Sequence, residues 1–294
     1  MGFSLFGPSV EKLRAKGDAP GLLKALEEDG SRDAAIAALV SLGEKALDAV
    51  VSALGYEGRH AFGVDEALVE VAAHVGAPAV DPVLLLLERG GEGVKSRALA
   101  VLGRLGDRRA ANAVHATYLG AQTPALKCDA LKAIAALSVG EHVDLVVRAL
   151  SDTDGRVRAE AASALGDMGD RAAIPALKSL WAKVEALDIA GSTLEQVEEV
   201  LGKQPPEADP GMRLGFAQWN RMDLHFTLAA SLTMLGDAEG RRTLLRAAEV
   251  LEAPISQGNL LFQGAVRPQL ERVVHAGVLS PEERARVEGA LQKG

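Results

Sequence analysis

Residues 150–180 read LSDTDGRVRAEAASALGDMGDRAAIPALKSL. An Asp/Gly-rich turn at Asp152, Asp154 and Gly155 leads into Val157, Ala161 and Leu165, which recur at helical spacing. A second turn, at 166–169, precedes Ile174, Leu177 and Leu180 on one face of another helix. Neither helix can bury its apolar stripe alone. A unit of this kind gains stability only by stacking on copies of itself, so copies are expected elsewhere in the chain.

Copies emerge when each unit is anchored on the glycine that closes the turn between its helices: Gly43, Gly76, Gly106, Gly140, Gly169 and Gly236. The first five are 29 to 34 residues apart, and 67 residues separate the last two. A glycine can take the left-handed conformation that ends a helix, and an acidic residue follows it in five of the six cases. Asp107, Asp170 and Asp237 are therefore expected to cap second helices, and Glu44 and Glu141 to lie favourably near such N-termini. Pro82 and Pro175 fall at equivalent places and are expected to bend second helices from within.

The pattern carried by Asp152, Asp154, Val157, Arg158, Ala161, Ala162, Ala164, Leu165, Gly166, Gly169, Asp170, Ala173, Pro175 and Leu177 resembles the HEAT repeat, in the short bacterial form known from phycobilisome lyase subunits. The resemblance implies an all-α fold: a right-handed α-α superhelix, or HEAT/armadillo-like solenoid, of about six or seven helix pairs. It covers residues 20–180 well and 223–252 less well. The fourth repeat departs from it, because Ser138-Val139-Gly140 is one residue shorter than Gly166-Asp167-Met168-Gly169. By the same alignment Arg158 corresponds to Lys95 and Arg32, with Lys127 as a further candidate. This resembles the family's ladder of cations, each meeting the Asp of a neighbouring turn.

The expected organisation is a single solenoid over 1–294: an N-terminal cap at 1–28, regular repeats at 29–183, an irregular insertion at 184–222, a repeat at 223–256 and a C-terminal cap at 257–294. In the insertion, Ser192 and Glu195 have the form of a capping box opening a helix to Leu201. The stretch at 203–211, KQPPEADPG, is expected to be an irregular loop. Both tryptophans and two of the six phenylalanines lie between residues 181 and 226. The expectation is a groove lined by Trp181, Phe216 and Trp219, flanked by Arg213, Arg221 and His225, with Glu207 and Asp209 on its rim. Aromatic and Arg side chains are the usual anchors of interfaces. The competing expectation is that these aromatics only seal the insertion against a layer of alanine.

Composition narrows the function. A formal net charge of −8 argues against wrapping phosphate backbones, which requires clustered Lys and Arg. The single cysteine, Cys128, excludes an intramolecular disulfide and cannot build a zinc site alone. The six histidines contain no i, i+4 pair, and no metal or cofactor site is expected. Residues 1–13 have no basic region, and their apolar run breaks at Gly7 and Pro8, so they do not read as a signal peptide. No apolar run approaches the roughly 20 residues that span a bilayer, and the cytoplasm is the expected compartment. No catalytic motif stands out. The expectation is a non-enzymatic protein-protein interaction scaffold using the concave face and the aromatic insertion. Two alternatives follow from relatives of the fold. One is phycobilin-lyase-like handling of a chromophore protein; the other is a HEAT-like DNA-binding alkylpurine glycosylase using Trp181, Trp219 and Asp223 with a basic stripe of Arg104, Arg108, Arg109 and Arg171.

Overall fold

Alanine and leucine at helical spacing, broken every dozen residues by glycine or aspartate, give short helices and little else. In the computed structural model, which describes residues 9–137, 142–203, 210–252 and 260–293, every regular element is helical. Gly140, Glu141, Glu207, Asp209, the proline loop at 204–209 and residues 257–259 lie outside the described residues. The chain divides into two compact units, Met1–Ser138 and Val139–Gly294.

The first unit contains α1 (Val10–Lys16), α2 (Ala19–Ala25), α3 (Arg32–Leu42), α4 (Leu47–Leu54), α5 (Val64–Val75), α6 (Val80–Arg89), α7 (Glu92–Leu105), α8 (Ala111–Gly120) and α9 (Pro124–Leu137). Odd-numbered helices pack in a row from α1 to α9, and even-numbered ones in a second row from α2 to α8. The core between the rows is aliphatic and small: Leu39, Ala72, Leu99, Leu102, Ala130 and Ile134 are fully buried. Such side chains let backbones approach closely, and burial of this apolar surface is what stabilises helices too short to persist singly.

The second unit contains α10 (Val143–Ala149), α11 (Gly155–Met168), α12 (Ile174–Ala186), α13 (Leu194–Leu201), α14 (Pro210–Met234), α15 (Ala238–Glu252), α16 (Leu260–His275) and α17 (Pro281–Lys293). Here α14 packs against α11 on one side and α16 on the other. The approach of α11 to α14 depends on Gly166, where an added Cβ would lie 2.8 Å from the Ser231 Cα. Gly103, at the same place in the repeat, faces Ala133 on α9 in the same way.

The repeat turns form as the sequence suggests. Gly43, Gly76, Gly106, Gly169 and Gly236 all have positive φ. Asp107, Asp170 and Asp237 each accept a backbone N–H from the residue two positions on.

Three expectations need correction. Pro175 and Pro82 stand at the second and third residues of α12 and α6, each just after a 3-10 turn, so they start second helices and do not bend their interiors. Among the described residues, the proline that does lie inside a helix is Pro268, in α16. The capping box at α13 is made by Thr193 and Gln196, one residue later than the Ser192–Glu195 pair. Finally, α14 runs unbroken through residue 223, so the second half of the expected insertion is the N-terminal extension of a repeat helix.

Among the described residues the cation ladder meets an Asp at two of its rungs, Arg32 with Asp29 at 2.7 Å and Arg97 with Asp65 at 3.3 Å, but its recurring contact is with backbone carbonyls. The buried cation of α7 is Arg97, not Lys95, and its guanidinium donates to the carbonyl of Leu54 at 2.9 Å, to that of Tyr56, and to Asp65 at 3.3 Å. Arg32 donates to the carbonyl of Leu26 at 2.9 Å, Arg158 to those of Asp152 and Glu199 at 2.5 Å each, Arg221 to Val184 at 3.1 Å and Arg267 to Leu291 at 3.1 Å. The recurring partner is thus a carbonyl at a helix C-terminal end, a group that the helix itself leaves unsatisfied.

Candidate functional site

The candidate site of the second unit is built around the middle of α14. Trp181, on α12, is 4% exposed, and its indole N–H donates to Nδ1 of His225 at 2.9 Å. From there edge-to-face contacts run from His225 to Phe226 at 5.0 Å and from Phe226 to Phe262 on α16 at 5.7 Å between ring centroids. Burial, and secondarily the Arg221 guanidinium, pull the His225 imidazole down to about 4, so near neutral pH the ring is uncharged. Because its Nδ1 accepts, the ring proton lies on Nε2.

Two open pockets meet at this aromatic chain. One, of about 480 Å³, lies toward α15 and includes Arg242, Arg246, Ala247 and Val250 in its walls. The other, of about 500 Å³, includes Ile189, Gln218, Met222 and Leu261. His225, Phe226 and Phe262 belong to both.

The six residues singled out from the sequence are therefore only partly brought together. Trp181, Arg221 and His225 meet: Arg221 caps the end of α12 and lines the second pocket, and Trp181 is sealed behind His225. Trp219 instead packs on α16, where a Cβ at Gly264 would lie 2.8 Å from its ring. Phe216 is 42% exposed, and it stands nine residues before His225, about 13 Å along the helix axis. Arg213 is further still toward the N-terminus of α14. The expected groove between Trp181, Phe216 and Trp219 does not form, because one continuous helix points these residues at different neighbours.

Residues missed in the sequence are Phe262, Arg242, Arg246 and Val250. They lie beyond the aromatic cluster, on helices read as an ordinary repeat and a cap. The available signal was Arg242 and Arg246 at i, i+4 spacing, followed by Leu260-Leu261-Phe262. Asp223, offered by the glycosylase alternative, stands two residues before His225 on α14. Burial pushes its carboxyl up, and it has no hydrogen bond or ion pair among the described residues.

The first unit has a different feature. Second helices α6 and α8 flank an open groove of about 710 Å³ that includes Leu84, Leu85, Ala113 and Ala116, with Asp81 and Arg109 joined at 3.2 Å on its edge. Of the basic stripe, Arg109 is further paired with Asp107 at 2.9 Å, and Arg104 reaches Glu66 at 3.8 Å. A buried Trp181 is not placed to stack on a base. Among the described residues no group of three or more His, Cys, Asp or Glu side chains could hold a metal ion, and no single helix is long and apolar enough to cross a membrane.

Residues 116–195 match the family model for HEAT repeats. No curated protein matches the chain. Among solved structures, it is similar to a chain in the complex of CpcE and CpcF of phycocyanin lyase from Nostoc sp. PCC7120, with 19% identity, 93% of each chain covered and a TM-score of 0.45. It is also similar to two engineered proteins. One shows 16% identity over 97% of this chain and 81% of that one at a TM-score of 0.36. The other shows 18% identity over 88% and 97% at 0.31.

Proposed function

We propose that this HEAT-repeat chain is a non-enzymatic scaffold or adaptor that docks a segment of a partner protein on the aromatic pockets between α14, α15 and α16. The observation that supports this is the pair of open pockets that share His225, Phe226 and Phe262, so that aromatic surface is offered in both. A surface of this kind suits a desolvated anchor side chain, and the surrounding helices hold it in place before binding, which reduces the ordering cost. The groove between α6 and α8 is a second contact surface for the same kind of partner in the first unit.

The test is a crosslinking pull-down from the native host with wild-type protein, with Phe262→Ala plus Val250→Asp, and with Leu85→Asp. Each variant is first shown to melt cooperatively near the wild-type temperature. Loss of a partner with the first variant supports the second-unit site, and loss with Leu85→Asp adds the groove. Recovery unchanged in both would reject the docking role of these surfaces.

A further inference from the structure

The pocket toward α15 carries more polar information than an apolar anchor requires. The His225 Nε2–H has no partner among the described residues, since the ring's one hydrogen bond there is the one it accepts from Trp181. Arg242 and Arg246 line the same pocket one helical turn apart, are exposed, and form no ion pair or hydrogen bond among the described residues. Two like charges at i, i+4 destabilise the helix that bears them. The chain has 40 acidic residues, yet none of those described lies within ion-pair distance of either arginine. The two acidic residues that line the pocket, Glu185 and Glu239, form no ion pair with either arginine among the described residues. Glu239 is held by Lys178 at 3.3 Å, the same ammonium that grips Asp237 at 2.8 Å, and Glu185 belongs to α12.

We propose that this pocket binds an acidic segment of a partner protein. A carboxylate sits against Arg242 and Arg246 with the His225 Nε2–H as a further donor, and an adjoining apolar side chain rests on Phe226 and Phe262. The proposal rests on the docking site above and adds the chemistry of its ligand. A guanidinium presents paired N–H groups that match a carboxylate, and such charge-assisted bonds strengthen beside apolar surface. The aromatic surface supplies binding area, and the arginines select which segments use it.

The experiment is selection of short random peptides on the full-length chain, followed by titration of the enriched peptides by tryptophan fluorescence at low and high salt. The expected result is enrichment of Asp or Glu next to Leu, Phe, Tyr or Trp. Arg242→Ala plus Arg246→Ala should weaken those peptides by roughly tenfold or more and remove most of the salt dependence. The Lys double variant should recover only part of the affinity. Both arginines are exposed, so these variants put little of the fold at risk. Enriched peptides without acidic residues, sensitive to Val250→Asp but indifferent to the arginine variants, would overturn the acidic ligand and leave the docking site standing. Peptides insensitive to all of these changes would remove the docking site as well. Preference for phosphorylated peptides with competition by inorganic phosphate would also overturn the proposal, in favour of phosphate recognition.

Discussion

The guanidinium of Arg158 donates to the carbonyl of Glu199, forty-one residues further on, at 2.5 Å. One bond thus ties the last turn of α13 to the start of α11, and a backbone bond from Lys203 to the Thr153 carbonyl at 2.9 Å runs beside it. Gly155 permits the contact, since an added Cβ there would meet the Leu201 carbonyl oxygen at 2.1 Å. The segment that interrupts the repeats is therefore anchored through the most regular repeat of the chain.

Replacing Arg158 should expose how much that anchor contributes. The side chain is 7% exposed, and its removal leaves the carbonyls of Asp152 and Glu199 without their donor. Arg158→Ala is expected to lose about 2–4 kcal/mol in urea denaturation, and Arg158→Lys to recover less than half. Arg156→Ala, which removes an exposed pair with Asp154, should change stability by less than about 1 kcal/mol.

Stability should fall as acid is added, through His225. Its folded pKa is about 4 against 6.5 for the free group, so between those values the unfolded chain binds the proton and the folded one does not. The contribution is complete above about pH 6.5 and is lost progressively toward pH 4, by roughly 3 kcal/mol at most. His225→Gln keeps an acceptor for the Trp181 indole and does not titrate, so its stability should vary less over this window than wild type. Equal pH dependence in the two proteins would refute the assignment.

Asp223 works in the other direction. Burial raises its pKa with no compensating partner among the described residues, so near neutral pH the ionised form costs the folded state; the cost starts to fall once the pH drops below the folded pKa and is gone below the pKa of the unfolded chain. Asp223→Asn is expected to stabilise by about 1 kcal/mol near pH 7, read as a rise in melting temperature, and to have no advantage once the carboxyl is protonated.

Gly264→Ala should reverse its sign with the neighbour it faces. In wild type the new methyl meets the Trp219 ring at 2.8 Å, which should outweigh the better helix propensity of alanine and cost about 1 kcal/mol. In a Trp219→Ala background the clash is gone, and the same change should stabilise. A double-mutant cycle in chemical denaturation measures the difference directly.

Much of the fold was visible in the chain because the repeat's signals are local. Gly106 and Gly169 need a positive φ, Asp107 and Asp170 need the N–H two residues on, and Val157, Ala161 and Leu165 lie on one helical face whatever packs there. The ladder was half visible: a cation was foreseen at Arg32 and Arg158, but Arg97 fills the role for α7 from two positions beyond Lys95, since the carbonyls it reaches, those of Leu54 and Tyr56, lie at the end of α4. The candidate site was less visible. Trp181, Arg221 and His225 could be listed, but Phe216 and Arg213 could not be told apart from them without knowing that α14 is one helix of 25 residues.

Periodicity and turn chemistry by themselves determined that this protein is built of short paired helices, because spacing along one helix decides which residues share a face and a turn needs only its own glycine and aspartate. Tertiary structure alone decided which aromatic is sealed and which is offered. Trp181 disappears behind His225, Trp219 lies on Gly264, and Phe226 and Phe262 come together from α14 and α16 to line two pockets. The physical reason is that a pocket is formed by surfaces that helices leave uncovered when they pack. That depends on crossing geometry and on the bulk of residues far apart in the chain, which no local pattern records.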